Sequence, residues 1–292
     1  MLPMKRIVVL AAVFVIPTLL GAQGLNTAAI DQALGRSGQR QGAVYRLSFP
    51  RSDLRVTLQG VAIKPGLALG SWAAFMGSED HATVMGDLCL LPSEVNPVMR
   101  KLRAGGIEIM ALHNHLLFES PQVMFLHYMG QGDAAALARS LHAALALSKT
   151  PLGKPPGMAA PGAAPAWVHA VESALDRKGT WNGGVLAVGV PRAEAVTVSG
   201  MATPPAMGVA ESMNFQDAGG GQVATTGDFV LTGDEVNPVI AALEQNQIDV
   251  TALHSHMLGD QPRLFFMHFW SVGAPRKVAA GLRDALAHAK TQ

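Results

Sequence analysis

Residues Gly86–His127 and Gly227–His268 align without a gap over 42 positions, and 18 of these are identical. The shared letters are GD, EVNPV, a Leu, an Ile, ALH-x-H-x-L, a Pro, a Phe and a closing His. The likeness reaches upstream. Ala33-Leu34-x-Arg36-x-Gly38 returns as Ala174-Leu175-x-Arg177-x-Gly179, Pro50-Arg51 as Pro191-Arg192, and Val56-Thr57 as Val196-Thr197 after a one-residue shift. A repeat of this length means that one folding plan is used twice. It divides the chain into two tandem domains, 26–148 and 167–290. Between them, 149–166 is dense in Pro, Gly and Ala and reads as a semi-extended linker.

Each copy gives the same coarse pattern. A short helix opens it (Ala28–Leu34; Val168–Asp176). Strands are predicted at Ala43–Phe49 and Leu54–Ile63, with counterparts at Val185–Val190 and Ala195–Met201, then at Trp72–Gly77 and His81–Leu91. A helix follows, capped by Ser93 or Asn96 with Pro97 in its first turn, where a missing N–H costs little. Asp234, Asn237 and Pro238 repeat that design, and Gly105-Gly106 ends the first of these helices. A hairpin comes next, and an amphipathic helix closes each copy (Asp133–Ser148; Pro275–Lys290). The fold class is α+β, each domain a mainly antiparallel sheet with flanking helices.

With 49% hydrophobic and 15% charged residues, the 292-residue chain has material for buried cores and does not read as disordered. A net charge of +1 without a basic stripe gives no case for nucleic acid. The N-terminus reads as an export signal over 1–24. Lys5 and Arg6 precede the apolar run Ile7–Leu20, which is followed by Gly21-Ala22-Gln23-Gly24, with cleavage expected within Ala22–Leu25. The rival reading is an uncleaved anchor. No other segment is long and apolar enough to span a bilayer, so the expectation is a periplasmic or secreted protein with no stable membrane anchor once the signal is removed. The single cysteine, Cys89, excludes an intramolecular disulfide. In GDLCLLP it reads as a small core residue.

The repeated motif carries histidines at one spacing: His-x-His, eleven residues, His. They are His113, His115 and His127, then His254, His256 and His268. Side chains alternate along a strand. On Ile107–His115 the expected inward face is Ile107, Ile109, Ala111, His113 and His115. A turn near Ser120 would set His113 opposite His127 and bring three imidazoles together. The same construction gathers the second trio. Three converging neutral imidazoles suit a transition metal, zinc or copper first. Two other readings fit the residues: a metal-free polar cluster for an anionic or sugar-like ligand, and a hydrogen-bond network. Whether the copies form two sites or one composite site stays open. His81, His142, His169 and His288 lack equivalents and read as surface residues.

Carboxylates near this motif supply candidate further ligands or a general base: Glu94 and Glu235 in EVNPV, Glu119 and Asp260 four residues after the second His, and, more distantly, Asp87 and Asp228. Asn96 and Asn237 read as helix-start residues, and Phe265-Phe266-x-x-Phe269-Trp270 reads as core. No Ser-His-Asp pattern, P-loop or dinucleotide fingerprint stands out.

GD…EVNPV…ALH-x-H-x-L…P…F-x-H, preceded by FPRSDL and followed by the closing helix, resembles the LppY/LpqO family of exported bacterial proteins, built on a domain of unknown function. The resemblance covers most of both copies and implies export. It implies no activity. The proteins that name that family are lipoproteins, and this chain lacks the lipid-bearing cysteine. His-x-His-x-x-x-Glu is also similar to the first metal motif of cupins, without their glycines or barrel spacing. Two function classes follow: a binding protein for a metal ion or small ligand, and a metal-dependent enzyme, a hydrolase or an oxygenase.

Overall fold

The computed structural model describes residues 24–153 and 162–292. The predicted export signal over 1–24, apart from Gly24, and the middle of the linker lie outside the described residues. The first repeat runs α1 (Thr27–Leu34), β1 (Gln39–Gln41), β2 (Val44–Pro50), β3 (Thr57–Leu58), β4 (Val61–Ala62), α2 (Pro65–Ala68), β5 (Gly70–Gly77), β6 (Ala82–Leu90), α3 (Pro92–Ala104), β7 (Glu108–His113), β8 (Met124–Gly132) and α4 (Ala134–Leu145). The second runs α5 (Ala166–Leu175), β9 (Thr180–Asn182), β10 (Val185–Pro191), β11 (Thr197–Val198), β12 (Met201–Ala202), β13 (Ala210–Gly219), β14 (Gln222–Leu231), α6 (Gly233–Gln245), β15 (Asp249–His254), β16 (Asp260–Gln261), β17 (Phe265–Gly273) and α7 (Pro275–Leu286). Each repeat builds one six-stranded sheet, in the orders β1-β2-β5-β6-β8-β7 and β9-β10-β13-β14-β17-β15. Every strand pairing in both sheets is antiparallel.

Both faces of each sheet are buried. On β6, Ala82, Val84, Leu88 and Leu90 face a helical layer formed by α1, α3 and α4. The alternate residues point the other way, Met85 into one further apolar cluster and Cys89 into another. The closing helix α4 meets its sheet through Leu137, Ala138, Leu141, Ala144 and Leu145, a spacing of three and four residues that puts them on one side. Phe269 faces the helices of the second repeat, whereas Phe266 and Trp270 face away from them, so the aromatic run divides between cores.

The second face of each sheet is covered by the other repeat. The sequence predicts Leu54–Ile63 as one strand. Instead Gln59 (φ 50°) and Gly60 (φ 80°) reverse the chain between β3 and β4, and Ser199 and Gly200 do the same between β11 and β12. Two successive left-handed residues are what a tight two-residue hairpin turn requires. The hairpin becomes an arm. Val56, Leu58, Ile63, Leu67 and Leu69 cluster with Val185, Ala224 and Trp270 of the second repeat. Reciprocally, Val196, Val198, Met207 and Val209 cluster with Val44, Ala74, Met85, Met110 and Met129 of the first. Hydrogen bonds fix the exchange: Lys64 N donates to Gln216 Oε1 at 2.9 Å, Gln216 Nε2 to the Ala62 carbonyl at 2.8 Å, and Asn214 Nδ2 to the Leu67 carbonyl at 3.1 Å.

The EVNPV helices start earlier than expected. The first begins at Pro92, so neither Ser93 nor Asn96 caps it, and Pro97 lies inside the helix. Glu94 satisfies the end instead, its Oε2 accepting from Leu91 N at 2.9 Å. The same carboxylate accepts from Lys149 N after α4 and pairs with the fully buried Arg51, whose Nη1 lies 2.7 Å from Oε2. Arg51 also reaches the Cys89 carbonyl and Asp53. Arg192 and Glu235 repeat this staple at 2.8 Å, with Glu235 accepting from Thr232 N and Lys290 N. Burial pushes the Glu235 carboxyl up, but Arg192 and these N–H groups outweigh it and hold the carboxyl below its ordinary range. The Pro-Arg and Glu of the repeated motif thus tie a strand end, a helix start and the chain after the closing helix into one joint.

Removing one partner strands a buried charge. Arg51→Met should lower the unfolding free energy by about 3–5 kcal/mol, and Arg51→Met/Glu94→Leu by much less. Urea unfolding followed by circular dichroism reads this; equal losses in the single and double variants would refute the joint.

Candidate metal centre

The strand β8 runs beside β6 and β7, and its residues alternate Met124, Leu126 and Tyr128 toward the helices against Phe125, His127 and Met129 toward the other repeat. On β7 the expected inward face is interrupted. A bulge between Ile109 and Ala111 shifts the register, so that Ile107 and Ile109 join the helical core while Ala111 pairs with His127 and His113 with Phe125. An extra residue in one strand turns the side chains beyond it to the opposite face. His113 therefore lies diagonal to His127 rather than opposite it. An equivalent bulge between Val250 and Ala252 sets Ala252 against His268 and His254 against Phe266.

Because the inner faces of the two sheets oppose each other, the two trios meet. The expectation of one three-histidine site per repeat gives way to a single cluster of six. Ring centroids of His113 and His254 lie 3.9 Å apart, those of His115 and His268 3.8 Å, and those of His127 and His256 3.9 Å. Exchanging the repeats maps the first pair onto itself and interchanges the other two. A pseudo-two-fold axis therefore passes between His113 and His254. The phenyl rings of Phe125 and Phe266 cap the cluster, stacked on His115 at 3.4 Å and on His256 at 3.6 Å.

Two carboxylates join this face. Asp87 is paired in register with His127, and Asp228 with His268. Asp87 Oδ2 lies 3.5 Å from His115 Nε2 and 3.9 Å from His127 Nε2, and Asp228 Oδ1 lies 3.3 Å from His268 Nδ1. The motif residues Gly86 and Gly227 allow this. A Cβ on Gly86 would stand 2.2 Å from the Trp72 carbonyl and from the Tyr128 hydroxyl, and one on Gly227 1.8 Å from the Ser212 carbonyl. The GD pair combines close strand approach with an acid aimed at the histidines.

Glu94 and Glu235 are committed to the arginine joints. Glu119 Oε1 accepts from Val123 N, and Asp260 accepts from Leu264 N and pairs with Arg263, so both brace the loops between the histidine strands. None of these four belongs to the groups of mutually close ligand atoms, whereas Asp87 does.

The donors are poorly satisfied. Nδ1 of His113, His127, His254 and His256, Nε2 of His254, His256 and His268, and Oδ1 of Asp87 and Asp228 are buried without a hydrogen-bond partner in the protein. Leaving such groups unpaired costs on the order of 1–3 kcal/mol each. His268 has its tautomer set. Its Nδ1 lies 2.9 Å from the Gly227 carbonyl, which only accepts, so Nδ1 carries the proton and Nε2 presents a lone pair to the cluster. That is how metal-binding histidines are oriented. Four ligand atoms, from His113, His254, His256 and His268, lie within 4.8 Å of one another, as do three from Asp87, His113 and His115. Soft, neutral imidazoles with oriented lone pairs fit a transition ion such as zinc or copper.

A cleft of about 1170 Å³ between the repeats reaches the cluster, its wall including Asp87, His115, His127, Asp228, His256 and His268. At this wall Arg46 lies over the Trp72 ring at 3.9 Å and donates to the Ala206 carbonyl. Sequence reasoning missed both residues, because neither recurs in the second copy.

Burial pushes all six imidazoles below the ordinary histidine value, His254 to about 4 and the others also downward; neighbouring imidazoles add to this for His113, His115, His256 and His268, while Asp87 opposes it at His127 and the backbone at Ser255 opposes it at His254. Burial raises Asp87 to about 6, with His127 opposing, and raises Asp228.

A family model described as Domain of Unknown Function (DUF1259) matches residues 28–147 and 169–288, and the chain belongs to this family, in two copies. No curated protein matches significantly. Among solved structures, a trimeric bacterial microcompartment shell protein, PduB, aligns with 11% identity over 87% of this chain and 89% of its own, with a TM-score of 0.23. EtuB from Clostridium kluyveri aligns with 9% identity over 86% and 90%, with a TM-score of 0.22. Neither score supports a shared fold.

The titrations set a pH dependence for chelator-treated protein. As pH falls below about 6.5, the unfolded chain protonates histidines that the folded cluster keeps neutral, so stability is lost. The raised acids Asp87, Asp228 and Glu211 act oppositely, since the folded state keeps their protons, but three groups offset only part of six. Urea midpoints should fall steadily from pH 7 to pH 4.5, and His254→Gln should flatten the slope. A flat profile in the parent protein would contradict neutral buried imidazoles.

Proposed function

We propose that this is an exported protein that binds a transition metal, zinc or copper first, in one centre shared by its two repeats. The observation that carries the reading is the convergence of six imidazoles, seven of whose ring nitrogens are buried without a partner within the protein. A hydrogen-bond network would pair these atoms, and a binding site for an anion would keep cations beside them. Asp87 lies within 4 Å of His115 and His127 and Asp228 within 4 Å of His268, which favours a cation among the rings, while the nearby cation Arg46 stands over Trp72 at the cleft wall. Ligand atoms from both repeats would hold the metal, through His113, His115, His127, His254, His256 and His268 with Asp87.

Export is supported by the signal-like segment and by the motif resemblance to the LppY/LpqO family of exported bacterial proteins. Among the described residues no helix is long and apolar enough to cross a membrane.

The cleft favours a second reading, a metal-dependent enzyme. Its wall includes four of the histidines and both aspartates, so a ligand entering it meets the centre directly. A metal bound there would supply Lewis-acid chemistry. Asp87 would stand beside it to hold a proton, and Arg46 and Trp72 would line the approach.

Protein purified untagged from the periplasm should retain zinc or copper by mass spectrometry. A His254→Ala/His256→Ala variant with an unchanged circular dichroism spectrum should bind less of it. No metal in the parent protein, and no uptake of zinc, copper, iron or manganese on titration, would overturn the reading. The mature N-terminus, read in the same sample, should fall within Ala22–Leu25; an intact signal segment would refute cleavage there.

A further inference from the structure

The donor set is larger than one ion can use. A single tetrahedral ion takes four ligands. The cluster offers six imidazoles and two carboxylates, and six of these eight form two groups of mutually close ligand atoms that have only His113 in common. His113, His254, His256 and His268 form one; Asp87, His113 and His115 form the other. An ion in the first group leaves the Oδ1 of Asp87 and the Nδ1 of His127 still buried and unpartnered.

The second group has the edges of a coordination polyhedron. His113 Nε2 lies 3.1 Å from His115 Nε2, and His115 Nε2 lies 3.5 Å from Asp87 Oδ2. Ligand atoms about 2.0–2.2 Å from a tetrahedral ion are spaced roughly 3.3–3.5 Å from each other. Two neutral imidazoles whose Nε2 atoms face each other share one hydrogen bond at most, and that bond leaves His113 Nδ1 and Asp87 Oδ1 without a partner. The six ring centroids stand between 3.8 and 6.2 Å apart where they are in contact. Two ions held on the two nitrogens of one imidazole stand across its ring from each other, farther apart than the about 3.5–4 Å usual in two-metal sites.

We infer that the chamber between the repeats is a dinuclear centre: one ion on His254, His256 and His268, a second on Asp87 and His115, and His113 between them as an imidazolate, its ring proton released to solvent and one ring nitrogen on each ion. This rests on the reading of the cluster as a metal centre. It departs from one ion per repeat, because the ions are joined through a shared histidine beside the pseudo-two-fold axis. The two carboxylates and the imidazolate together carry less charge than two divalent ions, so the pair would carry a net positive charge toward the cleft. That suits an anionic or oxygen-donor ligand there.

The test uses the full mature protein, untagged, stripped with chelator and refilled separately with Zn(II) and Cu(II). Native mass spectrometry should count two ions per chain. The Cu(II) form should show a spin-coupled electron paramagnetic resonance signal. Asp87→Asn/His115→Ala should retain one ion with an uncoupled Cu(II) signal, and so should His256→Ala/His268→Ala. One ion in the parent protein would overturn the dinuclear reading and leave the metal reading standing. Two ions with no coupling would overturn the shared-histidine geometry. No ions would overturn both. The parent count and its coupling need no variant, so a misfolded variant does not blunt the test.

Discussion

Each six-stranded sheet is apolar on both faces, and each repeat has helices for only one of them. The remaining face must be covered by something of the same size and shape. The other repeat provides it, through an arm that crosses over. Val56, Leu58 and Ile63 lie with Val185, Ala224 and Trp270, and Val196 and Val198 with Val44 and Met85. Because the covering is reciprocal, neither sheet is complete alone. The duplication is therefore no mere doubling of independent domains. It supplies the partner that a single copy lacks, and the linker supplies the connection.

The same covering fixes the environment of the histidines. A residue pointing from a sheet toward its partner sheet is withdrawn from water. Imidazoles tolerate this only when neutral and paired. Here they are neutral and stacked, and many of their nitrogens are unpaired. Stacking at 3.8–3.9 Å contributes dispersion and excludes water. It does not replace the lost hydrogen bonds. The cluster is thus a local deficit in stability that the large surrounding cores offset. A bound cation would convert that deficit into binding energy, since ligands already desolvated and oriented lose little on coordination.

Much of this was legible in the sequence. The gapless repeat fixed two like domains, the period-two and period-three-to-four patterns located most strands and helices, and the His-x-His spacing picked out the six residues that meet. What escaped has physical causes. A bulge leaves no mark in composition, so the parity of β7 was read one residue off beyond Ile109 and His113 was set against His127 instead of Phe125. The arm looked like a strand because its apolar positions alternate; Gln59 and Ser199 are not residues that announce a left-handed turn. Glu94 stood out for its recurrence, which reports the buried arginine it pairs with. Asp87 was ranked low because sequence distance from His127 hides their register across β6 and β8.

The two halves of the centre are near-copies, and their surroundings are not. Ser71 and Glu211 occupy the same sheet position, accepting from Cys89 N and Val230 N. Burial pushes the Glu211 carboxyl up to about 8, so the second repeat holds a protonated acid where the first holds a hydroxyl. Arg46 and Trp72 furnish one wall of the cleft, while their counterparts Ala187 and Ser212 furnish little. The loop after β7 ends in an exposed Phe118, and Gly259 stands in its place after β15. A pseudo-symmetric set of donors has been kept while the groups around it diverged. Selection on packing alone would act on both parts similarly, because the outer residues are also partly buried. A requirement for the donors themselves, with freedom for each half of the cleft to specialise, accounts for the difference. On that argument the symmetric part is the proposed binding centre, and the asymmetric wall is where the two halves would differ in what approaches it.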